Sequence, residues 1–190
     1  MERTIGRSRQ YVVLDRDGTL NLEKQYLDDP AQLELIPGAA EGLRLLQNHG
    51  FGLVVISNQS GIGRGIISKD AVEAINARLR KLLHQQGIQL DGIYYCPHSP
   101  EQNCVCRKPN PTLIYQAAED LHFNPRESFV VGDKCSDIEM GKRANAATIL
   151  VLTGYGNEQP MQARADFVAE DLRQAAEIIV QVSQRLKLSD

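Results

Sequence analysis

Two carboxylates one residue apart, Asp15 and Asp17, follow the apolar run Tyr11 to Leu14 and precede Gly18 and Thr19. At the end of a buried strand and turned by a glycine, both can face one crevice while a divalent cation screens their repulsion. A carboxylate is a competent nucleophile toward phosphorus, giving an aspartyl-phosphate that water later hydrolyses. The second carboxylate then has work to do, because a sugar alkoxide leaves readily only if protonated, and the attacking water must lose a proton. Asp15 is the candidate nucleophile and Asp17 the candidate general acid/base. Taken alone, an Asp-x-Asp at a strand end also reads as a turn or a simple cation site.

Further pieces lie downstream. The run Leu53 to Ile56 ends on Ser57 and Asn58, a hydroxyl and an amide able to donate to phosphoryl oxygens, though also an ordinary strand-to-loop turn. Lys108 offers the cation that a transferring phosphoryl group needs, or is a solvated surface lysine. The run Phe129 to Val131 closes on Gly132 and Asp133, with Asp137 four positions on along an expected helix. Asp15 and Asp133 with a backbone carbonyl and waters would suit octahedral Mg²⁺.

Cys96, His98, Cys104 and Cys106 supply three thiolates and an imidazole within eleven residues, the ligand set of structural zinc. Reduced surface thiols are the alternative. A closed Cys₃His site has no open position, so the metal is expected to hold a loop, delivering Arg107 and Lys108 to the crevice, and not to hydrolyse. Cys135, His49, His84 and His122 read as structural.

These groups need a scaffold that gathers strand ends. Five short apolar runs, at 11–14, 53–56, 93–95, 129–131 and 148–152, leave room for helices between them, the pattern of a parallel α/β sheet. Helices are expected over Ala39 to Asn48, from the Ser68 cap to Gly87, from Pro111 toward His122, after Lys134, and over about Asp171 to Arg185. Ligands of open parallel sheets bind outside the carboxyl ends of the strands, where Asp15, Ser57 and Asp133 all fall. The 190 residues suit one domain, 1–190, with the 96–106 loop inserted. Net charge is −3 with Lys and Arg scattered, which argues against a nucleic-acid surface. Arg3, Arg7 and Arg9 are not followed by an apolar stretch, so neither a leader nor a membrane anchor is expected, and the cytoplasm is the expected location.

In this order, Asp15-Arg16-Asp17-Gly18-Thr19, Ser57, Lys108 and Gly132-Asp133 resemble the haloacid dehalogenase (HAD) superfamily of phosphatases. The resemblance implies a Rossmann-like parallel sheet, helices on both faces, with a central first strand. It implies Asp15 as nucleophile, Asp17 as acid/base, Ser57 and Lys108 as phosphoryl stabilisers, and Mg²⁺ held by Asp15, Asp133 and the Asp17 carbonyl. It also puts Glu23, Lys24, Gln25 and Tyr26 and the segment Ser57, Asn58, Gln59 and Ser60 against substrate, with Arg16 counted among the contacts. No insertion is large enough for a cap domain, so selectivity falls to loops.

The Cys-Pro-His and Cys-x-Cys-Arg-Lys-Pro loop is similar to that of a subgroup holding the heptose 1,7-bisphosphate phosphatases and the histidinol-phosphate phosphatases. Asn58 to Gly65, Asp91 to Cys96 and Lys134 favour the heptose enzymes. A bisphosphate needs cations beyond the reacting phosphorus, and Arg107 with Lys134 could supply them. The expected partner is a small phosphorylated sugar and the expected state a monomer. The resemblance also implies a step toward nucleotide-activated heptose for lipopolysaccharide core or related glycans. A phospho-receiver module shares the sheet, the Mg²⁺ and the phosphorylated Asp, but lacks an acid at the Asp17 position.

Overall fold

The structure is a computed structural model, and it describes residues 9–158 and 164–188. Most of the N-terminal segment considered above, residues 1–8, lies outside them. Six parallel strands form one sheet in the order β3-β2-β1-β4-β5-β6: β1 Tyr11–Leu14, β2 Gly52–Asn58, β3 Gly92–Cys96, β4 Phe129–Gly132, β5 Ala147–Val151 and β6 Phe167–Ala169. The first strand is central, as expected. Val12, Val13 and Leu14 are fully buried, because a strand covered by helices on both faces must be apolar at every position.

Alternation along the strands splits the core. Val12, Leu14, Leu53, Val55, Phe129 and Val131 face one side. There they pack on α1 (Ala39–Asn48), α3 (Lys69–His84) and α6 (Leu172–Leu188). Tyr11, Val13, Val54, Ile56 and Val130 face the other, against α4 (Thr112–Leu121) and α5 (Cys135–Arg143). Ser68 caps α3 by accepting from Ala71 N at 3.0 Å, a contact worth about 1 kcal/mol. Among the strands and α-helices of the described residues, two escape the sequence reading: the three-residue edge strand β6, and α2 (Ser60–Gly63), a single turn inside a glycine-rich segment. The expected strand at 148–152 starts and ends one residue earlier as β5, and the final helix runs on to Leu188. No large cap is present among the described residues, and none of their helices is long and apolar enough to cross a membrane.

The order matters for the site. The chain lays β2 and β3 on one side of β1 and β4, β5 and β6 on the other, so the connections diverge at the carboxyl end of β1. Such a switch point opens a crevice there. Asp15 N extends the β1–β4 ladder by donating to Val131 O at 2.9 Å, and this holds the Asp15 backbone at the crevice floor.

Candidate active site

A crevice of about 440 Å³ lies at that switch point, lined by Asp15, Asp17, Glu23, Gln25, Tyr26, Asn58, Gln59, Ser60, Arg107, Lys108, Lys134 and Tyr155 among others. Asp15 Oδ1 accepts from Arg16 N at 2.7 Å and meets Lys108 Nζ at 2.8 Å. The Lys108 ammonium also contacts Asp137 Oδ1 at 2.6 Å and donates to Ile56 O at 3.0 Å. Burial opposes its charge, but Asp137 and Asp15 together outweigh burial and raise its pKa, so it stays protonated.

Asp17 is oriented by three side chains. Arg16 Nη2 donates to Oδ2 at 2.9 Å, Asn21 Nδ2 to Oδ1 at 2.9 Å, and Gln59 Nε2 to Oδ2 at 2.9 Å. Burial alone would raise its pKa, yet Arg16 and these donors hold it below the usual carboxylate range. Asp17 is therefore a carboxylate at neutral pH.

Asp15, Asp133 and Asp137 each place an oxygen within 4.8 Å of the others, all three buried. Asp133 Oδ2 accepts from Tyr155 N at 2.9 Å, whereas its Oδ1 is buried and meets no hydrogen-bond donor among the described residues. A lone buried carboxylate oxygen facing two further carboxylates is the donor set of a hard cation such as Mg²⁺. The backbone presses close: a Cβ on Gly18 (φ +86°) or Gly154 (φ +54°) would come within 2.2 Å of Asp133 Oδ2. Thr153 ties the two loops by donating to Gly18 O at 2.7 Å.

The cysteine cluster closes beside the crevice. Cys96 Sγ is 3.1 Å from Cys106 Sγ and 3.4 Å from Cys104 Sγ, and His98 Nδ1 is 3.3 Å from Cys106 Sγ. Metal–sulfur bonds of about 2.3 Å around a tetrahedral ion give ligand edges slightly longer than these, so the four atoms fit zinc with a small expansion. Burial and the neighbouring Cys106 sulfur push the Cys96 thiol well above its usual range, which a cation at the centre would reverse.

Lys134 Nζ pairs with Glu23 Oε2 at 2.9 Å and lies over the Tyr155 ring at 5.0 Å. Arg107 lines the crevice and donates to His98 O at 3.3 Å, and Arg64 donates to Tyr26 Oη at 2.9 Å. Ser57 is buried behind Gln59, from which its hydroxyl accepts at 3.1 Å. Asn58 links strand and loop, accepting from Lys108 N at 3.0 Å and donating to Lys108 O at 3.2 Å.

The side chains of two expected substrate contacts turn away from the crevice. Arg16 is 1% exposed and turns away from the crevice, its guanidinium taken up by Asp17 and by Asn76 on α3. Lys24 points outward to Glu34 at 2.6 Å and to Gln32 O at 2.7 Å, where opposite charge holds it clear of the pocket. Asp137, Asn21 and Tyr155 were given no role from the sequence. Asp137 stood at helical spacing from Asp133, and Asn21 four residues after Asp17; Tyr155 carried no comparable signal.

Comparison with known proteins agrees with this picture. A family model described as "HAD-hyrolase-like" matches residues 105–175. The chain is 39% identical over 178 residues to the D-glycero-beta-D-manno-heptose-1,7-bisphosphate 7-phosphatase of Pasteurella multocida, covering 90% of this chain and 97% of that protein. It is 38% identical over 169 residues to that of Escherichia coli K12, covering 85% and 88%. Among solved structures, D,D-heptose 1,7-bisphosphate phosphatase from B. bronchiseptica, complexed with magnesium and phosphate, superposes with a TM-score of 0.83 at 30% identity, covering 90% of this chain and 98% of that one.

Proposed function

Because the chain belongs to the D-glycero-β-D-manno-heptose-1,7-bisphosphate 7-phosphatase family of HAD-like hydrolases, we propose that it hydrolyses the 7-phosphate of that bisphosphate through an aspartyl-phosphate on Asp15. The observation that carries this reading is the convergence of Asp15, Lys108, Asp133 and Asp137 on one buried cluster at the sheet's switch point.

In the proposed reaction Asp15 attacks phosphorus, the P–O7 bond breaks, and Asp17 delivers a proton to the departing O7 alkoxide. The dianionic phosphate beside Asp17 raises its proton affinity from the low value of the free site, which loads it for that step. Lys108 offsets the charge that builds on the transferring oxygens. Water then attacks the same phosphorus, Asp17 takes its proton, and the P–O bond to Asp15 breaks, releasing inorganic phosphate and restoring the carboxylate. Mg²⁺, held by Asp15, Asp133 and the Asp17 carbonyl with Asp137 beside them, would supply electrostatic stabilisation of the phosphoryl oxygens.

Substrate recognition falls in this reading to Glu23, Gln25, Tyr26, Asn58, Gln59, Ser60, Arg107 and Lys134, with Ser57 supporting the phosphoryl group. Zinc on Cys96, His98, Cys104 and Cys106 serves the loop that carries Arg107 and Lys108. We read the protein as a cytoplasmic monomer acting on a small phosphorylated sugar. Two measurements test the reading. Phosphate release from the bisphosphate with Mg²⁺ is expected to vanish in Asp15→Asn, and wild-type turnover in that variant would remove the nucleophile. Comparing kcat/KM for the bisphosphate with that for histidinol phosphate tests the substrate, and a preference for the latter would overturn it.

A further inference from the structure

Arg16 is an expensive residue to hide. Its guanidinium is 1% exposed, does not line the crevice, and meets one carboxylate and one amide. Burying a charge costs several kcal/mol unless its partners are well placed. Here they are: Nε lies 3.2 Å from each oxygen of Asp17, Nη2 2.9 Å from Oδ2, and Nη1 donates to Asn76 Oδ1 at 2.9 Å. Asn76 is itself unusual. It is 5% exposed and the one polar side chain among the buried residues of α3, the others being Val72, Ile75, Leu79 and Leu83.

A carboxylate that moves protons needs one lone pair aimed at the substrate oxygen, and two free torsions work against that. Asn21 and Gln59 each contribute one contact to Asp17, and Gln59 lines the crevice, where an arriving ligand can displace it. Arg16 grips the carboxylate from behind through two nitrogens, a planar fork that fixes both position and tilt. The grip holds only if the guanidinium is itself fixed, and Asn76 anchors its far nitrogen to a helix outside the site.

We propose that Arg16, anchored by Asn76, is the positioning residue of Asp17, holding it aligned for proton delivery to the leaving oxygen. This rests on the acid/base role read for Asp17 above and extends it to two residues whose side chains lie outside the crevice lining.

The test uses leaving groups of different need. A sugar alkoxide must be protonated as it departs, whereas p-nitrophenolate leaves without a proton, and kcat/KM reports only the steps up to formation of the aspartyl-phosphate. In the full-length, Mg²⁺-loaded enzyme, Arg16→Gln is expected to lower kcat/KM for the heptose bisphosphate about 100-fold and for p-nitrophenyl phosphate less than about threefold. Asn76→Ala is expected to show the same bias at about tenfold, and it decides the matter if Arg16→Gln does not fold. Equal losses on both substrates, or no loss, would overturn the proposal. Asp17→Asn separates the two levels: a bias there that is absent from both other variants sinks this inference alone. No bias in Asp17→Asn removes the acid role itself.

Discussion

Lys108 Nζ lies 2.8 Å from Asp15 Oδ1, with side chains 2% and 5% exposed. An ammonium this buried is stable only because Asp15 and Asp137 face it together, so the cation stands against the nucleophile before any ligand arrives. Charge that develops on a transferring phosphoryl group would therefore meet a group already desolvated and in place, with no reorganisation left to make.

Lys108→Met keeps the apolar stem and removes that charge. It is expected to lower kcat about 100- to 1000-fold in phosphate-release assays. The same change leaves Asp15 and Asp137 without the cation they share, so the metal-free protein should melt at a lower temperature, and Mg²⁺ should restore part of the loss. Turnover within twofold of wild type would remove Lys108 from phosphoryl stabilisation.

The carboxylate cluster should make stability depend on pH and on Mg²⁺. Burial and the charge of Asp15 push Asp133 up to about 7, and burial and Asp15 push Asp137 up to about 6 against the pull of Lys108. An acid whose folded pKa exceeds its unfolded value keeps a proton that the unfolded chain has lost, so stability falls as pH rises from about 4 through about 7. Saturating Mg²⁺ should raise Tm by about 5–10 °C near pH 8 and by less near pH 5, where protons compete for the same oxygens. Calorimetry at both pH values checks this; an equal shift at each, or the same shift in Asp133→Asn, would contradict it.

For the cysteine loop, one zinc ion per chain is expected by atomic emission. Cys106→Ser should lose that metal and lower kcat by about 100-fold, because a displacement near 1 Å passes to Lys108 two residues on. A variant that lost zinc and kept full turnover would detach the loop from catalysis.

Arg107 lines the crevice, and among the described residues its guanidinium is held by a single long bond of 3.3 Å to His98 O, so it can turn to a second phosphate at small cost. Arg107→Ala is expected to raise KM for the bisphosphate about tenfold with kcat within about threefold, the signature of lost ground-state binding. A fall in kcat at unchanged KM would place Arg107 at the reacting phosphorus instead.

The scaffold was legible wherever burial writes a pattern. The strand Tyr11–Leu14 and the helix Ala39–Asn48 fall where a continuous apolar run and the flanking Pro37 and Gly50 put them. The strand Phe167–Ala169 was not, because three residues between Asp166 and Glu170 are too few to show a period. Strand ends were readable too, which is why Asp15, Ser57 and Asp133 could be brought together from positions far apart. Side-chain direction was not. Arg16 sits between two carboxylates in the chain, yet its partner at the far nitrogen, Asn76, belongs to α3, and nothing in a linear pattern points sixty residues ahead. The direction of Lys24 was hidden likewise, since its ammonium pairs with Glu34 across a turn. The pairing of Asp137 with Lys108 is tertiary in the same sense.

The strand order divides the labour of the site in space. The ends of β2 and β3 and the segments that follow them carry Asn58, Gln59, Ser60, Arg107 and Lys108, while the segments after β4 and β5 carry Asp133, Lys134, Asp137, Thr153 and Gly154, and the two sets flank Asp15 from opposite sides. A lineage could thus rewrite much of what the enzyme accepts by drift in the first set and in the segment after β1, with Lys134 the one proposed recognition residue that the ion-handling set carries, and a designer could graft new recognition segments the same way. The seam to respect in either case is narrow: the reach of Lys108 across to Asp137.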